Sequence, residues 1–268
     1  MMKVVLDRTE FEKDWKRVLV FGIIALLVPF GLVIPIKNEL QAVLLTIALT
    51  LVLGISALFF LYREGVSLKA IGFGKTAWSV GLAWFGAWWL AVTLLDLAGS
   101  WVANRFGFSL PREELVWSPL MVLDFVRAWA VVGLLEELAF RGFLHNKLAA
   151  VFENKWIGIA LAALCFGLWH IPASVLVRGN TVMSALPGAL VFGLISFVVF
   201  NVPYELTGLL PLLCLIHGWG DFPVTMTLQA PNAVGAASGY ALLLVTIGIA
   251  AARKRRVATL LKGGEYVS

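Results

Sequence analysis

Charged residues are scarce in this chain. They make up 14% of its 268 residues, whereas 60% are hydrophobic and the mean hydropathy is +0.91. Soluble domains contain about 25% charged and about 45–50% apolar residues, so the composition excludes a soluble globular domain. It predicts an all-α, polytopic membrane protein, because helices satisfy their own backbone hydrogen bonds in lipid.

Cysteine is nearly absent as well. Cys165 and Cys214 lie in apolar runs without a CxxC partner, and this pattern favours two small buried residues. The chain also has no HExxH motif and no detectable internal repeat. The first 17 residues are rich in charged side chains, which argues against a cleavable signal peptide.

Eight hydrophobic stretches follow one another, each close to the roughly 20 residues that cross 30 Å of hydrocarbon. They are Val18–Ile36, Leu40–Tyr62, Ala77–Ala98, Pro119–Phe143, Trp156–Val177, Ser184–Asn201, Leu206–Phe222 and Gly235–Ala252. The Gly- and Pro-rich part from Pro187 to Pro231 leaves room for one broken or re-entrant piece. We predict a single transmembrane domain, 1–268, with a cytoplasmic lead at 1–17, a functional core at 119–222 and a basic cytoplasmic tail at 253–268.

The basic residues flank the hydrophobic block and do not form a binding face. Five Lys and Arg precede Val18 and five follow Ala252, so the pI near 9.4 does not indicate a nucleic-acid partner. With the N-terminus in the cytoplasm, the cytoplasmic segments carry 15 of the 21 basic residues and the opposite side carries 4, while Arg127 and Arg141 lie within a span. The positive-inside rule then predicts a multi-pass cell-membrane protein with both termini cytoplasmic.

Polar residues inside the fourth span are the most informative. A charge at the bilayer centre costs about 2.5–3.5 kcal/mol on insertion scales. Asp124 and Arg127 are three residues apart and can form a local pair. Glu137 and Arg141 are four apart on one helical face, which also suits an ion pair. Glu136 points about 100° away from Glu137 and has no partner at i+4. Because low dielectric disfavours an unpaired carboxylate anion, Glu136 is the candidate base.

Three histidines complete the set of titratable groups. His170 lies within the fifth span, and His217 and Asp221 share a face of the seventh. His170 could be only a structural hydrogen-bonding residue between helices, and His217 and Asp221 could form only a structural contact with each other. His145 falls at the cytoplasmic end of the fourth helix, where we expect a helix-end role and no catalysis. The deep residues could converge on one water molecule.

These residues carry a resemblance. Glu136-Glu137-x-x-x-Arg141, Phe166-x-x-x-His170 and His217-x-x-x-Asp221, in this order on successive hydrophobic helices, resemble the three motifs of the CAAX prenyl protease 2 / bacteriocin-processing (CPBP, Abi) family of intramembrane proteases. The match covers about residues 119–222. It implies a glutamate-dependent peptidase in which Glu136 and His170 activate water and His217 and Asp221 stabilise the oxyanion. Glu137 and Arg141 would order the site.

Two details of the site stay open at this point. Family members often have Asn where this chain has Asp221. An ionised Asp cannot donate to an oxyanion, so Asp221 is either protonated or holds His217 in the donor tautomer, and we favour the second. The family has also been described as metalloproteases, and Glu136, His170 and His217 could ligate zinc. The glutamate scheme needs no ion, and we predict neither metal nor cofactor.

Three functions remain. The first is an intramembrane endopeptidase cutting near the cytoplasmic side of the bilayer. The second is a proton-coupled transporter, although the inverted repeat that transporters often show is not detectable. The third is a non-proteolytic membrane protein of the same fold, such as a bacteriocin-immunity or scaffold protein. The predicted partners are the lipid bilayer and a peptide or protein substrate. Prenylated and unmodified substrates are both compatible with this prediction.

Overall fold

The computed structural model describes residues 6–31, 37–111, 115, 117–176 and 178–264, and these form eight helices without a strand. The helices are α1 (Lys16–Gly31), α2 (Glu39–Arg63), α3 (Lys75–Arg105), α4 (119–151), α5 (Lys155–Leu176), α6 (Val182–Thr207), α7 (Leu210–Asp221) and α8 (Ala233–Gly264). Residues 1–5 of the predicted lead, 32–36 of the first predicted span, 177 and 265–268 lie outside the described residues.

Four of these helices, α2, α3, α5 and α6, are long and apolar enough to cross a membrane. They run over 22 to 31 residues each, compared with the roughly 20 needed for a span. Large apolar side chains cover much of the outer surface. Examples are Leu44, Ile55, Leu94, Leu194 and Val245. The prediction of an all-α integral membrane protein is therefore confirmed.

The seventh predicted span is wrong as a full crossing. Residues 202–207 continue α6, which ends where Gly208 adopts φ +67°. The separate helix α7 begins at Leu210 with Pro211 in its first turn. Its 12 residues give a length of about 18 Å, too short to cross 30 Å of hydrocarbon. This is the short piece for which the Gly- and Pro-rich composition left room.

Four helices extend well past the ends of their predicted spans. They continue to Arg105 (α3), Val151 (α4), Thr207 (α6) and Gly264 (α8). All four extensions contain polar or charged residues, and hydropathy assigns such residues to loops although the helices continue through them. The extended part of α4 carries Asn146 and Lys147, both buried.

Consecutive helices alternate in direction and define two faces. What we call the N-terminal face contains residues 7–15, 64–74, 146–155 and 205–209. At this face the backbone N–H of Asp7 donates to the Ala70 carbonyl oxygen. What we call the opposite face contains residues 37–38, 106–111, 117–118 and 178–181. Antiparallel contacts of α8 with α3, from Asn232 beside Asp96 to Gly239 beside Trp88, return the chain to the N-terminal face.

The long helix α4 is not uniformly α-helical. Two π-helical stretches, Arg127–Val132 and Leu138–His145, enclose one α-helical turn at Gly133–Glu137. Stretches of π-helix occur frequently at functional sites. Here they enclose the turn that carries both glutamates of the first motif.

Glycines allow α4 and α7 to approach at backbone distance. A Cβ atom on Gly133 would lie 2.6 Å from the Cys214 carbonyl oxygen and 2.8 Å from the Gly218 nitrogen. A Cβ atom on Gly218 would lie 2.8 Å from the Trp129 Cα atom. Small residues at helix interfaces are how membrane helices pack closely, and this contact places α7 against the glutamate turn.

Candidate active site

Glu137 is the fully buried centre of the site. Its Oε1 atom accepts hydrogen bonds from Arg141 NH1 at 2.8 Å and from His217 Nδ1 at 2.8 Å. The predicted Glu137–Arg141 pair is thus present. The Arg141 guanidinium also lies between the rings of Phe166 and Phe200, with its carbon 4.4 and 4.8 Å from their centroids. The pair therefore positions His217 from α7 against α4.

Glu136 is 5% exposed and points to other partners. The Trp169 indole Nε1 donates to its Oε1 atom at 2.9 Å. Its Oε2 atom lies 3.8 Å from His217 Nε2, too far for a direct hydrogen bond and within reach of a bridging water. Glu136 thus has a neutral donor on one oxygen and an imidazole near the other.

His170 lies one residue after Trp169 on α5. Its Nδ1 atom is 2.9 Å from the Phe166 carbonyl oxygen, so Nδ1 carries the proton and Nε2 is the acceptor in the neutral ring. The ring stacks on Phe192 of α6 with centroids 4.5 Å apart. These contacts fix the orientation of the ring, which is what a ring used as a proton acceptor needs.

One cavity brings four of the predicted residues together. Its volume is about 240 Å³, and Glu136, His170, His217 and Asp221 all contribute to its lining. Three helices, α4, α5 and α7, supply these side chains. The supporting residues Glu137 and Arg141 lie behind the lining, in contact with His217 and with each other.

Asp221 does not make the contact that we favoured from the sequence. Its Oδ1 atom is 3.9 Å from His217 Nε2, whereas Glu137 makes the hydrogen bond to Nδ1. Its other oxygen lies 3.8 Å from NH1 of Arg127, which also forms the predicted pair with Asp124 at 2.6 Å. Glu137 therefore orients His217. This contact joins α4 to α7, and the spacing of residues along the chain gives no indication of it.

A chain of hydrogen bonds runs from this site towards the N-terminal face. Arg141 NH2 donates to Ser196 Oγ at 2.6 Å, and Ser196 donates to Asn201 Oδ1 at 3.0 Å. The Asn201 amide lies 3.0 Å from His145 Nδ1, and His145 Nε2 lies 3.3 Å from Glu205. The helix-end role expected for His145 is wrong, because α4 continues to Val151. His145 is fully buried and belongs to the scaffold of the site.

Among the residues that the structure describes, no group of three or more His, Cys, Asp and Glu side chains is arranged to hold a metal ion. The proposed zinc ligands Glu136, His170 and His217 share the cavity lining without meeting that arrangement.

Sequence reasoning missed three residues that contact the site. Trp169 occupies an unspecified position of the motif that ends at His170, although it donates a hydrogen bond directly to Glu136. Ser196 and Asn201 are polar and fully buried in an otherwise apolar helix. The rule that singled out Glu136, a polar group inside a membrane span, also applies to Asn201 and could have found it.

The comparisons with known proteins agree with the motif resemblance. The family model described as "Type II CAAX prenyl endopeptidase Rce1-like" matches residues 117–222 of this chain. That segment contains α4 to α7 and every residue named above as a member of the cavity site. Neither the search of curated proteins nor the search of solved structures gives a match. Through residues 117–222, which hold its candidate active site, the chain is similar to the Rce1-like family of type II CAAX prenyl endopeptidases.

Proposed function

We propose that this protein is a glutamate-dependent intramembrane endopeptidase of the cell membrane. The observation that carries the proposal is the single cavity of about 240 Å³ lined by Glu136, His170, His217 and Asp221. These groups come from three helices of an apolar bundle, where polar side chains are costly and mark functional sites. The substrate is a peptide bond in a peptide or protein that reaches this cavity within the bilayer.

In the proposed first step, Glu136 and His170 activate a water molecule. Trp169 holds one oxygen of Glu136, which leaves the other free to accept a proton from water. The acceptor nitrogen Nε2 of His170 is available because Nδ1 donates to a backbone carbonyl. The water oxygen then bonds to the carbonyl carbon while its proton passes to the carboxylate. General-base catalysis of this kind contributes about 10²–10⁴-fold.

In the second step, the carbonyl oxygen becomes negative and needs donors. His217 donates through Nδ1 to Glu137, and as the imidazolium it would donate from Nε2 to the oxyanion. Asp221 lines the same cavity as His217 and, in its protonated form, donates a second hydrogen bond to the oxyanion. The tetrahedral intermediate then releases the amine, which takes the proton held by Glu136. Glu137 and Arg141 act as positioning residues.

The proposed reaction uses no metal ion. The glutamate base supplies what a metal-bound hydroxide would supply in a zinc peptidase. We therefore propose that the activity has no cofactor.

Substrate trapping tests the function. The Glu136→Gln variant keeps an oxygen for the Trp169 hydrogen bond and cannot act as a base. Membranes with wild-type protein and with this variant are compared by mass spectrometry for peptides that the variant retains. Purified proteins are then assayed on the retained peptide and on farnesylated and unmodified CAAX peptides. We expect at least one of these probes to be cleaved by wild type and a loss of at least about 10²-fold in the variant.

A matched control separates chemistry from folding. Glu153→Gln changes an exposed glutamate at the N-terminal face and should leave cleavage unchanged. Wild-type protein that cleaves none of the probes, or Glu136→Gln that cleaves them at the wild-type rate, contradicts the proposed function. A change in proton-coupled uptake with no change in cleavage would identify a carrier instead.

A further inference from the structure

The position of the cavity within the bundle shows from which side a substrate can enter. Apart from Glu136 at the middle of α4, the lining residues of each helix lie in the half of that helix nearer the opposite face. This holds for Thr46 and Thr50 on α2, Arg127 on α4 and Ala173 on α5. Arg178, in the segment between α5 and α6, is exposed and also belongs to the lining. The cavity mouth therefore lies at the opposite face.

The N-terminal face is closed over the site by packed polar groups. Arg8 forms an ion pair with Glu205 and donates to Asn146 at 3.1 Å. The fully buried Tyr204 hydroxyl accepts from Asn146 and donates to the Ile71 carbonyl. This layer joins the lead, the segment after α2 and the end of α6.

A second set of contacts extends the same layer. The Lys147 ammonium lies 2.7 Å from a Glu64 carboxylate oxygen, and neither side chain is exposed. Its Nζ atom also donates to the Glu12 carbonyl at 2.6 Å. Because these groups satisfy one another, opening a path for a peptide through this face would leave buried charges unpaired, which is strongly unfavourable.

Charge distribution indicates which compartment each face meets. The loops and ends at the N-terminal face, together with the two terminal segments, carry 15 of the 21 Lys and Arg. At the opposite face lie Lys37, Arg105 and Arg178, and Arg112 falls in the sequence between residues 111 and 117 of that face, which gives 4. Positive charge remains in the cytoplasm during insertion, so the N-terminal face is cytoplasmic.

From these two observations we infer that the active-site cavity opens to the non-cytoplasmic side of the membrane. Given the peptidase function proposed above, the substrates are peptide segments presented from that side, either exported or anchored in the outer half of the bilayer. This replaces the expectation from the sequence that cleavage occurs near the cytoplasmic side. Cytoplasmic tails are excluded as substrates, because the packed layer separates them from Glu136.

Cysteine labelling tests the inference without any need for activity. In a Cys165→Ser/Cys214→Ala background, single cysteines replace Ala173 inside the cavity or Glu153 at the N-terminal face. Intact bacterial spheroplasts and inverted membrane vesicles are treated with a membrane-impermeant maleimide. Leu194→Cys, on the exposed apolar surface of α6, is the control for reagent that enters the lipid, since a cysteine there has no access to water.

We expect Ala173→Cys to be labelled at least tenfold faster in spheroplasts than in inverted vesicles, and Glu153→Cys to show the reverse. Labelling of Ala173→Cys only in inverted vesicles, or only after detergent, overturns the inference. Labelling of Glu153→Cys in spheroplasts overturns it too, because the orientation would be inverted. If labelling follows expectation while Glu136→Gln retains full cleavage, the proposed function fails and the access side stands.

Discussion

The Nδ1 atom of His217 lies 2.8 Å from the Oε1 atom of Glu137. This contact fixes the proton on Nδ1 in the neutral ring and directs Nε2 towards Glu136, 3.8 Å away. Two adjacent glutamates of one helix therefore face the two nitrogens of one imidazole, Glu137 through a hydrogen bond and Glu136 at a distance that a water molecule can bridge. Because the same oxygen of Glu137 also accepts from Arg141, the orientation of His217 depends on the buried ion pair.

Replacing Glu137 with Gln tests this dependence. We expect cleavage to fall by about 10²–10⁴-fold, as when the orienting carboxylate of a catalytic histidine becomes an amide. Arg141 would lose its buried partner, at a cost of about 3–5 kcal/mol in stability. Cleavage rate and thermal unfolding are both measured.

The double variant Glu137→Gln/Arg141→Met serves as its control. Removing both charges should restore much of the stability without restoring cleavage. Wild-type cleavage by the double variant would show that Glu137 only balances Arg141.

Trp169→Phe removes one hydrogen bond from Glu136 and keeps an aromatic ring. Hydrogen bonds to charged groups contribute about 1.5–3 kcal/mol, so we expect a loss of activity of about tenfold or more. Trp156→Phe, at an exposed helix end, should leave the cleavage rate unchanged. Equal cleavage rates for the two variants would show that the hydrogen bond from Trp169 to Glu136 does not contribute to activity.

Asp221→Asn should keep activity within about threefold of wild type. The carboxylate lies 3.9 Å from His217 Nε2 and does not orient the ring, while an amide can donate to an oxyanion. Asp221→Leu removes the polar group, and oxyanion donors contribute about 10²–10³-fold. A collapse of cleavage in Asp221→Asn would show that the negative charge is needed.

Gly133→Ala should lower both stability and cleavage. The added methyl group would lie 2.6 Å from the Cys214 carbonyl oxygen, so α7 must move and His217 with it. Overpacking of this kind costs about 1–3 kcal/mol. The matched change Gly86→Ala, where no heavy atom lies within 4 Å of the new Cβ, should leave both unchanged or stabilise the helix by about 0.5–1 kcal/mol. Similar effects of the two changes would contradict the close α4–α7 contact.

Chelation tests the metal-free proposal. Detergent-purified protein is treated with 1,10-phenanthroline, dialysed and assayed, and its metal content is measured by mass spectrometry. We expect an unchanged cleavage rate and less than one metal ion per chain. Loss of activity that added zinc restores would identify a catalytic metal and contradict the glutamate scheme.

Several features of the fold and site could be read from the sequence because their physical cause is local. The scarcity of charged residues indicates that lipid surrounds the protein, and each hydrophobic stretch gives the approximate position of one helix. The i,i+4 spacing of Glu137 and Arg141 already places them on one face, and the structure joins them at 2.8 Å. Helix ends were less accurate, since α3 and α4 extend with polar residues beyond their apolar parts.

Contacts between distant segments could not be predicted in this way. The partner of His217 is Glu137, 80 residues away, and no spacing rule applies over that distance. It depends on the backbone approach that Gly133 and Gly218 allow between α4 and α7. The role given to Asp221 went wrong for this reason, because a neighbour four residues along the same helix was the only contact that the sequence offered.

By itself, the sequence determined the solvent of this protein, the number of its helices and the residue types that carry its chemistry, because hydropathy and side-chain chemistry belong to single residues and their near neighbours. Only the tertiary structure decided which carboxylate orients His217, which face is sealed and where the cavity opens. Those properties arise from the packing of helices whose contacting atoms are far apart along the chain.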